Sequence, residues 1–471
     1  MTGESRMRSA LSRARRTAGA VVAVGAVVAV VALVGAPWPS VTHAPLSIVA
    51  APTPSDTVVA CDGALLAVGR DAANAEGISV ASASDPVVGA DGDVQALELQ
   101  SPEVEGSAGV SAFSAAPDAG TATPLSAAAS VRIADEDLAG FAVDACRSPL
   151  FESWLVGGAT TTGETDLVLI ANPGEVTASV EITVFGGDGA SVPPGGSDLS
   201  IPARTQLVIP LAGLALGEEN PVLRVTATGA PVRASLQSSL IRTLVPGGVD
   251  QQSAIAAPAE VQVIPGVVVT SAPGEEGASD SATILRVLAP VGEGEASVSV
   301  TKVGATEPEL DPITIPLSRG VPTELDLAGL AVGAYVVTVT SSEPVVAAVW
   351  QATGFGAGSD FAWLTSAPVL EGKTLVAVPA GPDPTLQLAN SGQTDVTMSM
   401  RAVTGSGSER RIVVPAGGSA AISLTSGGVW ELDPGGVAGV HAQVTMAGSG
   451  ALAGFAVWPS DAATAAVRVY P

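Results

Sequence analysis

Between Val176 and Val184 the chain alternates without a break. Val176, Ala178, Val180, Ile182 and Val184 fall on one face, and Thr177, Ser179, Glu181 and Thr183 on the other. The pattern returns as Val396, Met398, Met400 and Ala402 against Thr397, Ser399 and Arg401. It returns again in Ala296, Val298 and Val300, where Lys302 takes the next inward position. A period of two with one polar face predicts half-buried antiparallel strands. Lys302 then marks where the third of these leaves the core, so that its ammonium reaches water.

The flanking segments recur as well. Short opening strands are predicted at 57–63, 154–158, 266–272 and 374–380, and second strands at 167–172, 283–289 and 386–390. The second strands end in turn chemistry at Asn172-Pro173-Gly174, Ala289-Pro290 and Asn390-Ser391-Gly392. A proline-marked strand follows at Ile201-Pro202, Ile315-Pro316 and Val414-Pro415. Proline cannot donate to a ladder, so this strand is expected at a sheet edge. Closing hairpins are predicted at 131–143, 223–237, 336–351 and 442–458.

Two peptides repeat almost letter for letter. Leu-Ala-Gly-Phe-Ala-Val stands at 138–143 and again at 452–457, and the heptapeptide at 211–217 returns at 327–333. Self-similarity at a spacing of roughly a hundred residues means several copies of one folding unit. Six or seven short strands per copy predict an all-β fold of tandem immunoglobulin-like β-sandwich repeats, following an N-terminal transmembrane helix. A propeller is disfavoured because its blades need only about 40–50 residues. The expected units are 56–150, 151–260, 261–370 and 371–471. The first is the outlier: from Ser82 to Ala129 it is rich in Ala, Ser, Asp and Gly, which predicts a long loop or a degenerate insertion.

Residues 18–36 are uncharged and built of Ala, Val, Gly and Leu. As a helix they would span roughly 28 Å, close to a hydrocarbon core of about 30 Å. Arg6, Arg8, Arg13, Arg15 and Arg16 precede them with only Glu4 in opposition. Residues 1–17 are therefore expected to be a cytoplasmic basic tail, with the chain from residue 37 outside. Val34-Gly35-Ala36 reads as a processing site, but Pro37 follows it directly, as Pro45 follows Ala44. An uncleaved signal-anchor at 18–36 is thus favoured over a removed signal peptide. Residues 37–55, with Pro37, Pro39, Pro45, Pro52 and Pro54, read as a semi-extended spacer.

Composition sharpens this picture. The chain has 471 residues, 47% hydrophobic but only 3% aromatic, so Val, Ala, Leu and Ile must fill the interior. Net charge is −26. Beyond the basic tail 45 acids face 15 bases, a surplus that repels a phosphate backbone and disfavours nucleic acid as a partner. Lys302 and Lys373 are the only lysines, and with the Ala/Gly/Val/Arg bias this resembles high-GC bacterial coding.

Cys61 and Cys146 are the only cysteines. In an exported chain an even count predicts a disulfide, worth about 4–5 kcal/mol for so long a loop in the chain-entropy model. Two free buried thiols are the alternative. Two cysteines with His43 and His441 do not make a metal set, and no cofactor is expected.

Catalytic constellations are not legible. His43 lies in the proline spacer and His441 stands alone before a strand, so no Ser-His-Asp set is in sight. Ser299 and Lys302 match Ser-x-x-Lys without companion motifs. Carboxylates such as Glu218-Glu219 and Glu275-Glu276 fall in loops rather than in the facing pairs of a glycosidase. Asp91-Gly92-Asp93 and Asp188-Gly189 lack the further ligands of a calcium loop. Glycines stand in turns with no following helix, unlike a phosphate-binding loop. Trp154, Trp350, Trp363, Trp430 and Trp458 could stack on sugar rings. Trp350 and Trp458 read as the same place in two closing hairpins, however, which favours packing.

The Arg-rich tail, the anchor, the Pro-rich spacer and the segment from Thr57 through Cys61, Asp62 and Arg70 to Asp71 together resemble an uncharacterised family of exported actinobacterial proteins. The resemblance implies location and architecture and carries over no functional residue. The expectation is a non-enzymatic, membrane-anchored, extracytoplasmic stalk or docking scaffold for another cell-envelope component. A cell-wall polysaccharide-binding protein is the second expectation.

Overall fold

In the computed structural model, which describes residues 19, 21–22, 24–28, 48–50, 55–107, 109–270, 282–403, 409–448, 450–459 and 467–469, the alternating segments are strands with the expected faces. Ala178, Val180, Ile182 and Val184 are buried on the strand Ala178–Gly186, as are Val396, Met398 and Met400 on Val396–Ala402, whereas Val176, expected on the same buried face, precedes its strand and is exposed. Lys302 ends the strand Gly294–Lys302 half-buried. The proline-marked strands Leu199–Ile201, Ile313–Leu317 and Arg410–Val414 lie at sheet edges, each paired only with its alternating neighbour. The lost N–H therefore costs no ladder bond there.

One connectivity recurs. In the second repeat, Glu152–Val156 pairs with Val222–Thr228, which pairs with Ala178–Gly186 and then Leu199–Ile201. The facing sheet runs Thr205–Pro210, Glu164–Asn172, Arg233–Arg242, Val245–Ser253. Numbered along the chain, the two sheets read 1-6-3-4 and 5-2-7-8. The fourth repeat has the same two orders, from Thr374–Val378 to Arg410–Val414 and from Ser419–Ser423 to Ala451–Ala456. The third does too, except that strands six and seven are one 20-residue strand, Gly333–Ala352, whose halves serve opposite sheets. In an immunoglobulin sandwich the first two strands share a sheet; here they lie in opposite sheets. The fold is all-β with its own strand order.

This order corrects the predicted hairpins. Residues 223–237 and 336–351 hold strands six and seven, which belong to different sheets, whereas 131–143 and 442–458 hold strands seven and eight. A short sheet-switching connection such as Gly229-Ala230-Pro231 carries the same turn chemistry as a hairpin, so the two could not be told apart by composition. The second and third repeats close instead with Val245–Ser253 and Phe361–Thr365.

The first repeat is also corrected. Residues 82–129 are no insertion: they carry Asp85–Ala90, Val94–Leu99, Val110–Ala115 and the start of Leu125–Ala134, the body of the sandwich. With Thr57–Ala60 and Ala139–Ala145 these form sheets equivalent to 1-6-3 and 2-7-8. Its core is small-residue, with Ala112, Ala115, Ala127, Ala128 and Ala129 all buried, which is why the hydrophobic signal was faint. The added element is a small sheet of Leu65–Val68, Ile78–Ser82 and Val104–Glu105.

The four sandwiches close into a ring within the compact unit Pro52–Ala465. Each packs its first sheet on the second sheet of the next. Ala60, Leu99, Val110 and Ala112 of the first share a buried cluster with Ala171 of the second. Trp154, Val156 and Val222 of the second meet Leu288, Val346, Ala348 and Trp363 of the third. Val263 and Val336 of the third meet Ala389 of the fourth. Val376, Ala377 and Trp430 of the fourth then meet Val87 and Ala128 of the first. The repeats therefore do not extend end to end as a stalk.

Met1–Ala51 and Ala466–Pro471 form a second unit. There Gly19, Val21, Val22 and residues 24–28 are helical, and Ile48–Ala50 pairs antiparallel with Val467–Val469. No helix among the described residues is long and apolar enough to cross a membrane. Most of 18–36, the basic tail 1–17 and most of the spacer lie outside the described residues.

Candidate functional site

The eighth strands of all four repeats meet at one side chain. Asp360, fully buried, immediately precedes Phe361–Thr365. Its Oδ2 accepts the N–H of Phe141 at 2.9 Å and of Leu452 at 3.2 Å, and its Oδ1 that of Val249 at 3.2 Å. The N–H of Phe361 is a fourth donor. Burial pushes the Asp360 carboxyl up to about 8, with these four N–H groups pulling the other way. The carboxyl group is thus held by backbone from every repeat and ties the four together.

A second buried cluster joins the first and second repeats. Arg233 bonds Asp62 and Asp144, and Ser235 donates to Asp62, all four being buried. Asp144 also accepts the N–H of Asp62 at 2.5 Å, and burial raises its carboxyl to about 7. Cys61 and Cys146 lie next to the two acids in sequence and form the expected disulfide, joining the end of the opening strand to the end of the closing one. Their sulfurs fall close to Asp144 but are bonded to each other, which removes them as metal ligands.

The most open chemistry lies in a cleft of 520 Å³ between the second and third repeats. Asp166 stands at its floor, 6% exposed, accepting the Ala159 N–H at 2.6 Å. Burial is the main reason its carboxyl rises to about 7. A Cβ on Gly158, whose φ is +72°, would lie 2.6 Å from the Asp166 carboxylate, so the turn needs glycine. Arg286, buried on Thr283–Leu288, crosses from the third repeat. It donates to the carbonyls of Gly158 at 2.8 Å and Pro221 at 2.9 Å and pairs with Glu324 at 2.9 Å. Its guanidinium lies 4.6 Å from the Trp363 ring centre, and burial lowers its pKa. Glu164, Glu219, Arg242, Trp350 and Phe355 complete the walls.

The remaining sequence candidates are dispersed. Trp154, Trp363 and Trp430 are buried, and Trp350 and Trp458 half-buried. Trp350 lies on strand seven and Trp458 beyond strand eight, so they are not equivalent positions. Asp91 and Asp93 are exposed, and Glu275-Glu276 falls outside the described residues. Ser299 and Lys302 are three apart on one strand and point to opposite faces.

His441 is buried and has a partner that sequence reading missed. Its Nε2 lies 3.0 Å from the hydroxyl of Ser391, while its Nδ1 is held by the Ala367 carbonyl at 2.7 Å. Burial lowers its pKa. The N–H groups that would flank a nucleophile at Ser391 are spent: Ser391 N–H donates to Gly439 O, and Gly392 N–H to Asn390 Oδ1. Asp166 and Arg286 were also missed, although an acid abutting the apolar run Leu167–Ile170 and an arginine inside the second strand Thr283–Leu288 were visible anomalies.

A family model described as a family of unknown function, DUF5719, matches residues 103–425. No curated protein matches the chain.

Proposed function

For a chain that belongs to this family of unknown function, we propose a non-enzymatic role as a docking scaffold of the bacterial cell envelope, tethered to the membrane through residues 18–36 with its ring outside. The observation that carries this reading is the Cys61–Cys146 disulfide, since such bonds persist in oxidising compartments. The basic, apolar and proline-rich order of residues 1–55 supports the same orientation. A rigid body suits docking, and the ring is tied by polar clusters as well as apolar ones. Fractionation of cells expressing the full chain tests it: the protein should pellet with membranes and be digested by protease added to spheroplasts. Recovery of the full-length chain in the cytosol would overturn the proposal. Affinity purification in mild detergent should then recover the envelope partner.

A specific observation favours a second reading, binding of a cell-wall polysaccharide. The cleft between the second and third repeats brings the half-buried Trp350 together with several carboxyl groups, an aromatic-and-acceptor lining of the kind that holds small polar ligands. Trp363 and Trp430, buried, are poor stacking platforms, so the test moves to Trp350.

A further inference from the structure

We propose that the cleft between the second and third repeats binds a pyranose unit of an uncharged saccharide, with Trp350 as the stacking platform and Glu164 and Asp166 as hydroxyl partners. The proposal rests on the polysaccharide reading and narrows it to one site and one chemical class.

Size comes first. The cleft offers 520 Å³, within the range of about 300–1,000 Å³ typical of small-ligand sites. Charge comes next. Glu164, Asp166, Glu219 and Glu324 line it against Arg242 and Arg286. Arg286 is already engaged by Glu324 and by the carbonyls of Gly158 and Pro221. The surplus is negative, so phosphates, sulfates and uronates are repelled.

The aromatic surfaces then separate a sugar from an organic cation. A cation would seek a ring face, but two of the rings are already covered by the protein's own arginines. Arg286 lies 4.6 Å from the centre of Trp363, and Arg242 lies 4.8 Å from that of Phe355. Among the described residues no arginine lies over Trp350, the cross-strand neighbour of Trp363, which is half-buried against the cleft. Its ring centre is 6.1 Å from that of Phe361, at 34°, which fixes the plane of the indole. An aromatic ring and several carboxyl groups lining one cleft match a pyranose, which has a C–H face and a rim of hydroxyl donors. Glu164 is oriented by the Thr161 hydroxyl at 2.8 Å and Asp166 by the Ala159 N–H at 2.6 Å, so both acceptors are held before a ligand arrives.

Calorimetric titration of the full chain tests this, with chitotriose, maltotriose and mannotriose as neutral probes, trigalacturonate as the acidic one and tetramethylammonium as the cation. At least one neutral trisaccharide should bind, and trigalacturonate should bind at least tenfold more weakly. Trp350→Ala should weaken the neutral probe at least tenfold. Glu164→Gln, at the rim, should weaken it severalfold with an unchanged melting temperature, and Trp430→Phe should leave it unaffected. Neutral binding that survives both cleft substitutions would sink the site while leaving a polysaccharide role elsewhere on the ring. Absence of any neutral binding would overturn the site and the polysaccharide reading together, and tighter binding of tetramethylammonium would overturn the ligand class.

Discussion

The backbone N–H groups of Phe141 and Leu452, from the first and last repeats, donate to the same atom, Oδ2 of Asp360. A side chain of the third repeat thereby closes the first onto the fourth, and its other oxygen draws in Val249 of the second. Sequence neighbours could not have made this junction.

Removing the hub carboxylate should be costly out of proportion to its size. Asp360→Ala orphans buried N–H donors, each costing about 1–3 kcal/mol when left unpaired. A loss of at least 4 kcal/mol is expected in urea unfolding, enough to prevent folding at 37 °C. Asp360→Asn keeps one acceptor but turns an NH₂ toward other donors, and an intermediate loss of about 2 kcal/mol is expected.

Stability should fall as pH rises from mild acid. The Asp360 and Asp166 carboxyls sit at about 8 and about 7 in the fold, against about 3.9 in an unfolded chain. Between those values the native state holds more protons, so stability is greatest near pH 4 to 5 and is lost as pH climbs through 7 to 8. Melting temperatures from pH 5 to 9 check this, and Asp360→Asn should flatten the slope. A rising profile would contradict the assignment.

Glycines beside the hub should not tolerate alanine. Gly248 has φ +126°, and a Cβ there would lie 2.7 Å from Asp360 Oδ1 and from the Phe361 ring. Gly248→Ala should cost about 2–4 kcal/mol through backbone strain and displaced contacts. Gly213, with nothing within 4 Å of its added Cβ, is the control, and Gly213→Ala should be close to neutral in the same denaturation assay.

Opening the disulfide should loosen the first repeat. The bond spans 85 residues, and its removal by Cys61→Ser with Cys146→Ser should cost about 2–5 kcal/mol. Thermal melts with and without reductant should reproduce the difference in the wild-type protein and show none in the double variant.

How much of this was legible depended on side-chain size. Strands with period-two faces, such as Ala178–Gly186 and Val396–Ala402, could be read directly, because Val, Ile and Met alternate with polar residues. Ring closure could not. Its contacts pass through alanines such as Ala112, Ala128, Ala348 and Ala389, which carry little hydrophobic signal and let sheets approach because they are small. The repeated hexapeptide found two closing strands but not their register. Phe141 is fourth in its copy and Leu452 first in the other, yet both N–H groups meet Asp360. Asp360 itself, in Gly358-Ser359-Asp360, looked like a loop acid. Its role comes from four chain segments that no local window contains.

The hub has an arithmetic of its own. The Asp360 carboxyl group has two oxygens, and the converging edges supply four donors, one from each repeat. Loss of any one repeat would remove one of these donors. All four repeats thus share one side chain, so that damage at this position reaches every one of them.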